Sequence, residues 1–155
     1  MKNVLYLFIT CFITTVSFAQ TQIDKDFQGY WKLSELSAGG VRINIDKSTV
    51  IFSKERESKM TAEQKANAEA KKGEVIKKLS ESHVLVSAKN IDIVLGDIKR
   101  NGVFKIEKYI DAYKLSIGYE DGTADEMIMY IKNKKLYLTK SDDVDRDEMI
   151  FTKTL

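Results

Sequence analysis

The chain is predicted to be all-β, an antiparallel up-and-down meander of about eight to ten strands with one inserted α-helix over about 61–80. Three observations predict it. Large apolar residues recur with a period of two, most clearly at Tyr113, Leu115, Ile117 and Tyr119, with Lys114, Ser116 and Gly118 on the other parity. Turn-forming pairs (Gly39-Gly40, Asn101-Gly102, Asp121-Gly122, and more weakly Asp111-Ala112 and Asn133-Lys134) separate these runs at short intervals. Only the stretch from Thr61 to Ser80 breaks the pattern, with alanines among Lys and Glu. A meander of this length either stacks as a sandwich or closes into a barrel, and closure removes its exposed edges.

Taken in order, the chain begins with a basic Lys2, an apolar run from Val4 to Val16 and the small-x-small triplet Ser17-Phe18-Ala19. That order reads as a secretory signal peptide over 1–19, cleaved after Ala19, and the apolar run is short for a membrane span. Phe8-Ile9-Thr10 lacks the small residues that a lipid-attachment motif places before its cysteine, here Cys11. A short polar lead over 20–26 precedes a single domain over 27–155. Its first strand carries Trp31 and Leu33, and the next Val41, Ile43 and Ile45. In the helical stretch Thr61 and Gln64 form a capping box, Gly73 weakens the centre, and apolar residues gather only at Val75, Ile76 and Leu79. The helix is a plain crossover or a lid over a pocket mouth. His83 opens a strand. Ile91, Ile93 and Leu95 follow, then Phe104, Ile106 and Ile110, a stripe that Lys108 interrupts. Met127, Met129 and Ile131 share a face, with Ile128 and Tyr130 apolar on the other, and Leu136 and Leu138 come next. The last strand is Glu148–Lys153.

Composition narrows the function. The formal net charge is +2, with both signs scattered along the chain, so no footprint for nucleic acid or an anionic membrane stands out. The single cysteine lies in the signal peptide, which leaves the mature chain without disulfides or thiol chemistry. His83 is the only histidine, so a His/Cys zinc site cannot be assembled. Nothing resembles a nucleophile elbow, a phosphate-cradling glycine loop or a dinucleotide fingerprint. Asp143, Asp145 and Asp147 are spaced like the first ligands of a calcium loop, but Glu148 stands where glycine is required and Thr154 where glutamate is. No enzyme, metal site or cofactor is expected.

Gly29-Tyr30-Trp31, a Gly-x-Trp opening the first strand soon after the export signal, resembles the opening motif of the lipocalins, and the whole resembles the small lipocalin-like domains exported by Gram-negative bacteria. The resemblance covers most of residues 27–154 in pattern. It implies a barrel of eight strands, with Trp31 a structural plug at one end and an interior able to hold one small apolar molecule. The chain departs from the family in three respects. It has no Thr-Asp-Tyr triplet; Arg146 precedes the last strand, leaving Lys153 as the only basic residue near the end; and its helix falls within the strand series.

The inward residues expected to meet a ligand are Phe104, Tyr113, Leu115, Ile117, Tyr119, Met127 and Met129, with Gly29 and Trp31 structural. Tyr113 and Tyr119 each need a hydroxyl partner, which is a ligand head group or water at the rim. The leading expectation is therefore a non-enzymatic periplasmic or secreted barrel that binds a small hydrophobic molecule in its interior. The alternative is an envelope protein-interaction module with a solid core, using an apolar patch around Val75, Ile76 and Leu79. Neither has nucleic acid as a partner or a stable membrane span. Intact-mass measurement of the exported protein is expected to show a chain beginning at Gln20; a mass that retains Met1 to Ala19 overturns the cleavage.

Overall fold

The structure is a computed structural model that describes residues 22–140 and 147–154. The expected signal peptide with Cys11 and Gln20, and the acidic run Asp142 to Asp145 with Arg146, lie outside these residues. The elements run β1 (Gly29–Ala38), β2 (Val41–Asn44), β3 (Thr49–Phe52), α1 (Lys54–Lys59), α2 (Ala62–Leu79), β4 (His83–Val86), β5 (Asn90–Leu95), β6 (Ile98–Lys108), β7 (Ala112–Tyr119), β8 (Ala124–Lys132), β9 (Lys135–Lys140) and β10 (Glu148–Lys153).

From β4 to β10 each strand pairs antiparallel with the next, and β10 pairs back onto β1, whose first half also pairs with β4. Eight strands thus close into an antiparallel barrel. The β2–β3 hairpin extends from the second half of β1, where Glu35 to Ala38 pair with Asn44 to Val41. Strand β1 changes neighbours on one side while keeping β10 on the other, and the strain of that change falls on a bulge between Leu33 and Glu35. The extra residue, Ser34, is fully buried, and its hydroxyl donates to the Ile150 carbonyl at 3.0 Å. Burial without that bond would cost about 1–3 kcal/mol.

Alternation makes the interior. Tyr113, Leu115, Ile117 and Tyr119 of β7 point inward with Met127 and Met129 of β8, Leu136 and Leu138 of β9, and Phe151 of β10. Trp31, Leu33, Val84, Ile91 and Phe104 complete the same core. The lead before β1 is not wholly polar, because Ile23 joins this core. A single apolar side chain among polar ones has no period by which a sequence reveals its burial.

Two local readings differ from the sequence. Asn101-Gly102 lies inside β6 and makes no hairpin; the β5–β6 turn is at Gly96-Asp97, where Gly96 has φ +59°. Gly102 serves close approach instead. A Cβ there would stand 2.6 Å from Ile117 Cγ2 and 3.0 Å from the Gly118 carbonyl oxygen. A short helix, α1, also precedes the expected one, capped by the Ser53 hydroxyl, which accepts from Arg56 N–H. The expected helix is α2, and both hydrogen bonds of its Thr61–Gln64 capping box are present. It has no buried residue, and only Leu79, near its end, packs on the core. Among the described residues no helix is long and apolar enough to cross a membrane.

The two glycines give opposite expectations in urea unfolding. Gly102→Ala is expected to destabilise by about 1–3 kcal/mol, because backbone blocks the new methyl. Gly73→Ala, with nothing within 4 Å of its Cβ, is expected to stabilise by about 0.5–1 kcal/mol.

Candidate functional site

The barrel has two chemically different ends. At one, the turn after Asp24 folds across the bore: Phe27 N–H donates to the Asp24 carbonyl at 3.0 Å, and Trp31 Nε1 donates to the Phe27 carbonyl at 2.9 Å. Phe27 meets Tyr113 edge to face at 5.1 Å. The Lys153 ammonium sits 4.9 Å over the Trp31 ring and donates to the Asp26 carbonyl at 3.1 Å. Its stem passes Gly29, where a Cβ would be 3.2 Å from Lys153 Cε and where φ is +127°. The Gly29-x-Trp31 spacing therefore supplies the backbone freedom and the space that the lysine needs to cover the indole.

Above this plug lies a cup of about 1150 Å³. Its floor includes Phe27, Trp31 and Tyr113, its wall Ile110 and Ile131, and it continues over the β7–β8 rim past Ala112, Tyr130 and Lys132. Lys108, Lys134 and Lys153 stand around the mouth. Two of them extend an apolar inward row beyond its last hydrophobic member, Lys108 after Phe104 and Ile106 and Lys153 after Phe151, while Lys134 stands in the β8–β9 turn. Long stems leave apolar surroundings this way while the ammonium reaches water. The sequence signal for the ring was Lys108 interrupting its stripe; Lys132, Lys134 and Asp24 carried none.

Tyr113 belongs to this end. Its hydroxyl accepts from Asp24 N–H at 3.3 Å. Hydrogen bonding from Tyr113, then the Lys108 ammonium at 3.1 Å, holds the Asp24 carboxyl below its ordinary value. The Asp24 hydrogen bond, followed by Tyr113, raises Lys108, while burial and then Asp24 raise Tyr113.

Tyr119 belongs to the other end, about 20 Å along the same strand. There the Arg100 guanidinium lies 3.8 Å from the Tyr119 ring centre and binds Asp125 at 2.8 Å, Asp121 at 3.8 Å, and the Thr123 hydroxyl. The Tyr119 hydroxyl is buried without a hydrogen-bond partner among the described residues. Burial, then the Asp125 charge, pushes its pKa up to about 12. An ionic cluster covers this end, beside two smaller hollows of about 200 and 300 Å³ that Tyr119 also lines.

Of the sequence-selected residues, Phe104, Leu115, Ile117, Met127 and Met129 come together within the packed core, each at most 6 % exposed. Tyr113 alone of the seven lines the cup. His83 stacks on Tyr30 at 4.6 Å on the outer face. Helix α2 contributes no lining residue to the cup, and among the described residues no three His, Cys, Asp or Glu side chains gather as for a metal.

The Asp24 latch has a defined pH dependence. Its depressed carboxyl contributes stability above the ordinary carboxylate value, which is lost as pH falls through the lowered folded value. The raised Lys108 and Tyr113 contribute below their ordinary values, and that contribution is lost as pH climbs through the raised ones. Asp24→Asn is therefore expected to lower Tm across the neutral range, with the gap to the native chain closing below the carboxylate range, as followed by thermal unfolding at stepped pH.

Comparison with family models, curated proteins and solved structures finds no match for this chain.

Proposed function

We propose that this protein is an exported, lipocalin-like barrel that binds one small amphipathic molecule, with an apolar body and an anionic group, at the Trp31 end. The observation that carries the reading is the cup: an aromatic floor of Phe27, Trp31 and Tyr113 with four lysines and three aspartates about it, one aspartate already held by Lys108. A small-molecule site characteristically combines an apolar surface with a few placed polar groups. The packing of Phe104, Leu115, Ile117, Met127 and Met129 against one another favours the cup over the bore as the ligand's place. The second reading, an envelope protein-interaction module, has one observation in its favour: Val75 on solvated α2 is exposed.

The test is titration with an anilinonaphthalene sulfonate probe, which pairs an apolar ring system with an anion. Trp31 is the only tryptophan, so its emission reports directly on the cup floor. Saturable binding with quenched Trp31 emission is expected. Lys134→Gln and Tyr113→Phe are each expected to weaken it about tenfold, whereas Tyr119→Phe at the far end leaves it unchanged. Absence of saturable binding, or equal loss from the two tyrosine variants, overturns the cup as the site.

A further inference from the structure

The β6–β7 tip that stands beside the cup carries the most exposed large apolar side chain of the described residues, Ile110 at 95 %, next to Tyr109 at 49 %. The tip is tightly built, since Tyr109 N–H donates to the Ala112 carbonyl at 2.9 Å. An isoleucine held out in water by a closed turn makes no contribution to this fold.

Its surroundings say what covers it. Lys132 and Lys134 lie at the adjacent β8–β9 turn, and neither has an ion-pair partner among the described residues. Asn133 and Lys134 hold left-handed φ of 52° and 61°, which fixes the turn. Of the three carboxylates lining the cup, Asp24 is bound by Lys108, and Asp26 and Asp111 stand against the remaining lysines, so that four lysines exceed three aspartates there. At the opposite end Asp97, Glu120, Asp121, Asp125 and Asp147 stand at the β5–β6 and β7–β8 turns and the start of β10, with Asp97 paired to Lys78 and Asp121 and Asp125 paired to Arg100. Exposed apolar side chains stand at both ends, Ile110 beside Lys132 and Lys134 at one and Ile98 beside Asp97 at the other, so the two ends differ in the charge that flanks them.

We propose that the Trp31 end docks on an anionic lipid surface, with Tyr109 and Ile110 in the headgroup layer and Lys132 and Lys134 over the lipid charges. An exposed apolar side chain flanked by lysines is suited to such an interface, and the acidic end is turned away from it by the same field. Tyr109, Ile110, Lys132 and Lys134 also line the cup, and the docking does not require that the cup hold a ligand.

The test is flotation of the full chain with equimolar phosphatidylcholine and phosphatidylglycerol vesicles, against phosphatidylcholine alone. Any contribution of the N-terminal segment is common to all variants compared. Binding to the anionic vesicles is expected, with energy transfer from Trp31 to dansyl-labelled headgroups. Lys132→Gln with Lys134→Gln is expected to weaken it about thirtyfold, and Ile110→Ser about tenfold. Ile98→Ser, an exposed apolar residue at the acidic end, changes nothing. All these side chains are exposed, and unchanged thermal unfolding shows that each variant is folded. Four outcomes overturn the proposal: equal binding to neutral vesicles; variants that bind like the native chain; flotation without energy transfer from Trp31; or, in place of vesicle binding, a concentration-dependent dimer that Ile110→Ser abolishes, which makes a second copy the occupant. Tyr113→Phe, whose ring is buried beneath the docking residues, weakens sulfonate-probe binding and leaves flotation intact, so failure of this proposal and failure of the ligand reading are separable.

Discussion

Pairing between β1 and β10 is the constraint on which the rest of the molecule depends. Trp31 stands opposite Lys153 and Leu33 opposite Phe151, so the first and last strands of the barrel complete one continuous ladder. Without that seam the sheet would keep two long open edges and an interior accessible to water. With it, the inward rows of eight strands converge on one core, and Lys108 and Lys153, which end two of those rows, are brought to the same cup. The seam also explains the Ser34 bulge. Strand β1 must follow β10 along its length while exchanging β4 for β2 on its other side, and one extra residue absorbs the mismatch.

Much of this architecture was legible because burial on one face imposes a period of two. Tyr113 to Tyr119 read as a strand for the same reason that they form one: four large side chains share the core side. The capping box at Thr61 and Gln64 was equally readable, since both of its hydrogen bonds are local. What escaped was non-local. Asn101-Gly102 has the chemistry of a tight turn, yet Gly102 is there because Ile117 and the Gly118 backbone press on it from the next strand. Local turn chemistry cannot report a neighbour fifteen residues away. The cover over Trp31 was obscured in the same way, because Lys153 reaches the indole only once the seam has formed.

Charge illustrates the point at the scale of the whole molecule. Along the chain, acids and bases alternate with no trend. An up-and-down barrel, however, sorts its connections by parity, sending every second turn to the same end. Tyr109 to Asp111 and Asn133-Lys134 fall at one end with Lys108, Lys132 and Lys153, while Gly96-Asp97 and Glu120-Asp121 fall at the other. A nearly neutral protein thereby acquires two ends of opposite character, one capped by a tryptophan and a lysine and the other by Arg100 between Asp121 and Asp125.

The segment between β1 and β4 has a different kind of consequence. These two strands pair directly, Gly29 to Lys32 against Val86 to His83, and Leu33 N–H donates to the Ser82 carbonyl at 2.9 Å. Topologically they are an ordinary hairpin whose turn has swollen to hold β2, β3, α1 and α2. The entropy of closing such a loop grows only with the logarithm of its length, each doubling costing about 0.6 kcal/mol. Lengthening or shortening α2, which buries no residue, thus changes the barrel's stability very little. Insertions and deletions in the solvated turns of α2 therefore cost the barrel little, and relatives of this barrel are free to diverge in length there.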